Sequence, residues 1–174
     1  MTKPPNRMPE LVETLIEDDR WLQVGVATCA EIACRATLLE LGLDPTQFEI
    51  ALLACDDQRI AVLNADFRDK PTPTNVLSWP AQELAPQTEG QQPDLPESDG
   101  FGDVTELGDI AIAYDTCVAE ALDQDKALGD HVSHLLVHGC LHLLGYDHVL
   151  EKDAVLMEAL EVSILAKLGI ADPY

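Results

Sequence analysis

The stretch His138-Gly139-Cys140-Leu141-His142-Leu143-Leu144-Gly145-Tyr146-Asp147-His148 sets three histidines at HxxxHxxGxxH spacing. Residues four apart lie one above the other on a helix, so His138 and His142 share a face about one turn apart. Gly145 admits the left-handed conformation that commonly ends a helix, and the turn it permits brings His148 back from outside the helix. Three neutral imidazole nitrogens suit Zn²⁺ and leave a fourth position for water, the arrangement of a catalytic site rather than a closed structural one. One zinc ion per chain, on His138, His142 and His148, is the expectation.

Working outward from that helix, residues 11–17 partly alternate and read as a short strand. Asp18 or Asp19 offers a cap for a helix over 21–41, ended by Gly42 and followed by Pro45. Residues 48–54 are a compact apolar run and read as a strand, and Asp56 or Asp57 caps a short helix reaching about Phe67. Strands are predicted over 75–79 and 108–114, and helices over 116–126, 130–145 and 150–168, the last ended by Gly169. This order is not a strict βα alternation. It predicts an α+β single domain spanning 1–174, with a mixed, roughly four-stranded sheet packed against helices, one of which carries the histidines. Between Pro80 and Glu106 lie several prolines and glycines, seven acidic residues and no Lys or Arg, so 81–106 reads as a flexible, solvated acidic loop.

A hydrophobic content of 47% over 174 residues fits a chain with a core and argues against general disorder. No apolar run approaches a membrane span, and Met1-Thr2-Lys3-Pro4-Pro5 lacks the apolar stretch of a signal peptide, so the expected location is the cytoplasm, away from membranes. Cys29, Cys34, Cys55, Cys117 and Cys140 are odd in number, contain no CxxC pair and sit mostly in apolar segments. They are expected to be reduced packing residues. The formal net charge of −22 opposes nonspecific binding of nucleic acid, since phosphate contacts need Lys or Arg, and no DNA partner is expected. A small local basic site remains compatible with it.

The histidine spacing equals that of zinc peptidases, in which a glutamate directly after the first histidine serves as general base. Here that position is Gly139. A peptidase would need its base elsewhere, for example Asp147. A phosphodiester suits the remaining groups better: a metal polarises a phosphoryl oxygen and a guanidinium neutralises the charge that accumulates on the others. Arg68 and Lys70 stand in the most distinctive stretch outside the histidines, from Asn64 to Pro80, although Arg68 could equally be a surface arginine paired with Asp66 or Asp69. His134, one turn before His138, is expected to be a polar residue at the helix edge, with a role beside the metal as the alternative. His131, nearer the helix start, is expected to be exposed.

These two stretches together resemble the YbeY family, bacterial rRNA maturation factors regarded as metal-dependent endoribonucleases. The family pattern HGxLHLxGYDH is met at every specified position from His138 to His148. A second pattern, NxxFRxxxxPTDVLSFP, is met at Asn64, Phe67, Arg68, Pro73, Thr74, Val76, Leu77, Ser78 and Pro80, and a Gly-Asp-Ile strand at Gly108-Asp109-Ile110. Asn75 stands where the pattern often has Asp, and Trp79 replaces Phe. The resemblance implies zinc on His138, His142 and His148, and Arg68 lining a cleft that receives the RNA phosphate. It also implies cleavage of single-stranded RNA in 16S rRNA 3′-end maturation and ribosome quality control, with rRNA and the small ribosomal subunit or its proteins as partners. The nucleophile, a metal-activated water or a 2′-hydroxyl, stays open. A ribosome-assembly factor with a structural zinc is the non-catalytic alternative, and a zinc peptidase the less favoured one.

Overall fold

The computed structural model describes residues 10–98 and 103–174. Residues 1–9, with the start of the chain read for a signal peptide, and 99–102 of the acidic segment lie outside the described residues. The strands are β1 (Val12–Ile16), β2 (Phe48–Cys55), β3 (Val76–Pro80) and β4 (Thr105–Ala113). The helices are α1 (Arg20–Val24), α2 (Val26–Glu40), α3 (Asp57–Arg68), α4 (Tyr114–Asp123), α5 (Leu128–Leu143) and α6 (Glu151–Lys167), with a 3₁₀ turn at Pro45–Gln47.

The sheet is mixed, in the order β1-β2-β4-β3. β1, β2 and β4 run parallel, and β3 lies antiparallel on the edge beside β4. This is the α+β architecture expected from the sequence. Parallel neighbours need crossover connections, which α1–α2 and α3 supply. On one face, Ile50, Leu52, Ile110 and Ile112 pack with α2, α5 and α6 in the main core. On the other, α3 covers only part of the sheet through Ile60, and Leu15 of β1 is left 64% exposed. The histidine helix is thus on the thickly covered side. Its Val132, Leu136, Val137, Cys140 and Leu141 are fully buried, and each contributes roughly 1.5–3 kcal/mol if large and aliphatic.

Several boundaries differ from the sequence reading, three of them for an evident structural reason. The helix expected over 21–41 is broken at Gly25, whose φ of +69° caps α1 and starts α2 in a new direction. The apolar periodicity continues across the break, so it conceals it. Trp21 explains the separate first turn: its Nε1 donates to the Cys55 carbonyl at 2.9 Å, pinning α1 to the end of β2. β4 begins at Thr105, inside the segment read as loop, because its acidic flank still pairs with Phe48 and Glu49. A register shift between Glu49 and Ile50 follows, where Leu107 is the extra, buried residue. α4 starts at Tyr114, directly from β4, rather than at 116.

Residues 81–98 form no helix or strand, yet they pack on the body. Leu84 is buried, Gly90 donates its N–H to Asp153 at 2.8 Å, and Glu89 accepts from the Lys152 N–H at 3.1 Å. All five cysteines are free, four of them buried and Cys29 half-buried, as expected for packing residues. Burial pushes the Cys55 thiol up to about 12, which leaves it unreactive.

Candidate metal centre and its cleft

α5 ends as the Gly145 reading requires. Gly145 has φ +94°, its N–H donates to the His142 carbonyl, and the Tyr146 N–H reaches back to the Leu141 carbonyl, both at 3.1 Å. This is a Schellman ending. A side chain at 145 is also excluded sterically, since a Cβ there would lie 2.8–2.9 Å from Leu84 and Pro93. The chain reverses and delivers His148, whose N–H is held by its neighbour Asp147 Oδ1 at 2.7 Å.

The result brings His138, His142 and His148 together, with one ring nitrogen from each inside a span of 4.8 Å. Their protonation follows from their partners. His138 Nδ1 lies 2.7 Å from Glu161 Oε1, and His142 Nδ1 lies 2.9 Å from the Tyr146 carbonyl. A carboxylate and a carbonyl only accept, so in the neutral rings both Nδ1 atoms carry the proton and both Nε2 atoms are bare. Those two Nε2 lone pairs stand 3.0 Å apart. Two lone pairs at that distance repel unless a cation lies between them, and two nitrogens sharing a tetrahedral zinc at ~2.0–2.1 Å would sit at about 3.3 Å. The donor set therefore fits a metal ion. Burial first, and then the neighbouring His138 and His148, push the His142 imidazole down to about 4, so it is neutral and ligand-ready at pH 7.

The three histidines open onto a cleft of about 810 Å³ that Arg68, Thr74 and Asn75 also line. Arg68 ends α3, and the loop after it is held by Asn64, which is buried and donates Nδ2 to the Thr72 carbonyl at 2.9 Å. Arg20, Arg35, Arg59 and Lys167 are each engaged by a carboxylate. Arg68 makes no ion pair among the described residues, with Asp66 and Asp69 included. With Lys126, it places two of the chain's ten basic residues on the cleft of an otherwise acidic molecule. Trp79 lies outside the cleft, with the smaller cluster under α3, and packs edge-on against the cleft residue Phe67 with centroids 5.3 Å apart.

His131 is buried, not exposed as expected, because α4 covers it: Glu120 Oε1 accepts from its Nε2 at 3.1 Å. Glu120 also accepts from Asn75 Nδ2 at 3.0 and 3.2 Å. The amide at 75 has a reason here, since an aspartate would set two carboxylates side by side. His134 takes the alternative weighed for it. It lies 3.2 Å from Glu161 Oε1, the same atom that accepts from His138.

Glu161 was not picked out from the sequence. It is fully buried, and Met157, Ile164 and Leu165 share its side of α6. A carboxylate on an apolar stripe was the available signal, because such a charge is buried only when paired. Burial alone would raise its pKa; hydrogen bonds from His134, His138 and Tyr174 outweigh this and hold it at about 2. Gly139 is seated against the sheet. A Cβ there would meet Ser78 Oγ at 3.2 Å and Ile110 Cδ1 at 3.3 Å, so the position belongs to the contact of α5 with the sheet. The place of a peptidase base is occupied by packing.

The model of the family described as Endoribonuclease YbeY matches residues 16–169. The chain belongs to the YbeY endoribonuclease family. It is 58% identical to the Endoribonuclease YbeY of Ruegeria sp. (strain TM1040), over 94% of this chain and 96% of that protein. It is 52% identical to that of Paracoccus denitrificans, over 98% and 93%, and 45% identical to that of Azorhizobium caulinodans, over 94% and 95%. The solution structure of a Thermotoga maritima protein shares the fold with a TM-score of 0.51 at 17% identity, covering 93% of this chain and 97% of that one. The family assignment makes the chain an endoribonuclease by family, and the histidine cluster is its candidate metal centre. No helix among the described residues is long and apolar enough to cross a membrane.

Proposed function

We propose that the chain is a zinc-dependent endoribonuclease of single-stranded RNA. It acts in 16S rRNA 3′-end maturation and ribosome quality control, in the cytoplasm and in association with the small ribosomal subunit. The observation that carries this reading is the convergence of unprotonated histidine nitrogens in the same cleft as an arginine free of ion pairs among the described residues. A structural zinc site is closed by four protein ligands, whereas three histidines opening on a cleft leave a position for substrate or water.

His138, His142 and His148 would hold the ion, which when bound supplies Lewis acidity to a phosphoryl oxygen and to the attacking hydroxyl. The chain's own contribution is orientation and charge. Arg68 presents a planar fork of N–H donors that pairs with phosphate oxygens, and its charge stabilises the transition state more than the ground state as negative charge builds on them. Depressed basicity keeps His142 from competing for a proton at neutral pH. With a net charge of −22, the long-range field opposes capture of free RNA, which favours a short RNA end presented by a ribosomal partner.

The deciding experiment is cleavage of ribosomal RNA precursor by wild type and His142→Ala, with zinc content measured on the same preparations. Zinc and cleavage are expected to be lost together. Full activity in a metal-free preparation would overturn the mechanism, and tight binding of free single-stranded RNA at physiological salt would overturn the presentation by a partner. A 2′,3′-cyclic phosphate end would assign the 2′-hydroxyl as nucleophile.

A further inference from the structure

We infer that Glu161 is the positioning residue of the metal centre, and that Tyr174, from the segment after α6, latches it in place. The inference rests on the three histidines binding a metal ion. It does not depend on RNA being the substrate.

Glu161 has no exposed surface and no Lys or Arg beside it among the described residues; its donors are two imidazoles and a phenol. Oε1 accepts from His138 Nδ1 at 2.7 Å and from His134 Nε2 at 3.2 Å, and Oε2 accepts from the Tyr174 hydroxyl at 2.5 Å. The Tyr174 ring stands edge-on to His134 with centroids 5.6 Å apart. Lys126 donates from Nζ to the Pro173 carbonyl at 3.2 Å, which fixes the segment on the cleft's edge.

Each contact has a consequence for His138. Proton occupancy of Nδ1 leaves Nε2 as the only nitrogen that can serve as a ligand, and that is the nitrogen facing His142. A full negative charge on the acceptor raises the basicity of the ring and fixes its plane. Oε1 can do this only if the carboxylate does not rotate, and the short bond from Tyr174 to Oε2 opposes rotation. Tyr174 acts on the metal through two other residues, without touching it. His142 reaches the same tautomer through a backbone carbonyl instead, so the two helical ligands are held by different means.

The test is zinc affinity by chelator competition, on the full chain, for wild type, Glu161→Leu, Glu161→Gln and Tyr174→Phe. Leucine removes the acceptor, and zinc binding should weaken by about 10–100-fold. Glutamine keeps a neutral acceptor and should restore part of the loss, while Tyr174→Phe should weaken binding several-fold. Nitrogen NMR of the metal-free proteins supplies a second readout. The His138 proton sits on Nδ1 in wild type and moves toward Nε2 in Glu161→Leu. Tyr174→Phe alters a partly exposed ring and keeps the test valid if either Glu161 variant fails to fold. Equal zinc affinity in wild type and all folded variants, or an unchanged His138 tautomer in Glu161→Leu, overturns the positioning role alone. Absence of zinc binding in wild type overturns the metal reading with it.

Discussion

At one end of the cleft, His138 and His142 turn bare nitrogens toward each other; at the other, His131 of the same helix is closed off by Glu120. The residue type and the helix are the same, and the chemistry differs because of what each ring faces. Glu120 is paired with Asn75 and His131, which joins α4, α5 and the start of β3, while His131 Nδ1 is buried without a partner. At the metal end every partner binds the far side of the ring and leaves the near side without one. What marks the site is that its two unpartnered nitrogens face each other across 3.0 Å, on a cleft, whereas the unpartnered nitrogen of His131 is buried.

Arg68→Ala is the largest test of this contrast, because it removes a group whose charge has no ion-pair partner among the described residues. Cleavage should fall by about 10²–10³-fold, the usual effect of losing one transition-state donor, while zinc content and melting temperature stay close to wild type. Loss of zinc along with cleavage would instead make Arg68 part of the fold.

Acid should act on the metal end next. In the metal-free protein His142 titrates at about 4, against about 6.5 for an ordinary histidine in the unfolded chain. The unfolded state therefore binds the proton first. The stability present above about pH 6.5 is lost as pH falls through about 4, to at most about 3 kcal/mol. His142→Ala lacks the group and escapes this loss, so wild type should lose melting temperature relative to the variant between pH 7 and 4. A constant difference across that range would show that the ring is not desolvated.

The smallest change is expected at the closed end. Asn75→Asp replaces a donor to Glu120 with a second carboxylate and should cost about 1–2 kcal/mol at pH 7, measured by urea unfolding. Protonating either acid restores a donor, so the cost should shrink as pH falls into the carboxylate range. Zinc affinity should not change. If it drops, the two ends are coupled.

Local signals made much of this legible in the sequence. The histidine spacing with Gly145 gave helix, turn and the clustering of the three histidines, because a Schellman ending is built from neighbouring residues. Asp56 was readable as a cap for the same reason, and its side chain accepts the Arg59 N–H. Partners from other elements were not readable. His131 lost its expected exposure to Glu120 on α4, and Glu161 gained its role from α5 and Tyr174. The break at Gly25 was hidden because its cause, the bond from Trp21 to Cys55, spans 34 residues.

The tight seat of Gly139 on Ser78 and Ile110 bears on what this scaffold can become. Restoring the glutamate that zinc peptidases carry at that position takes one substitution on paper. Here the new side chain would drive into the seam between α5 and the sheet, costing at least the ~1–3 kcal/mol typical of overpacking and burying a charge as well. The two chemistries share a spacing of histidines, but the route from one to the other passes through a filled packing seam.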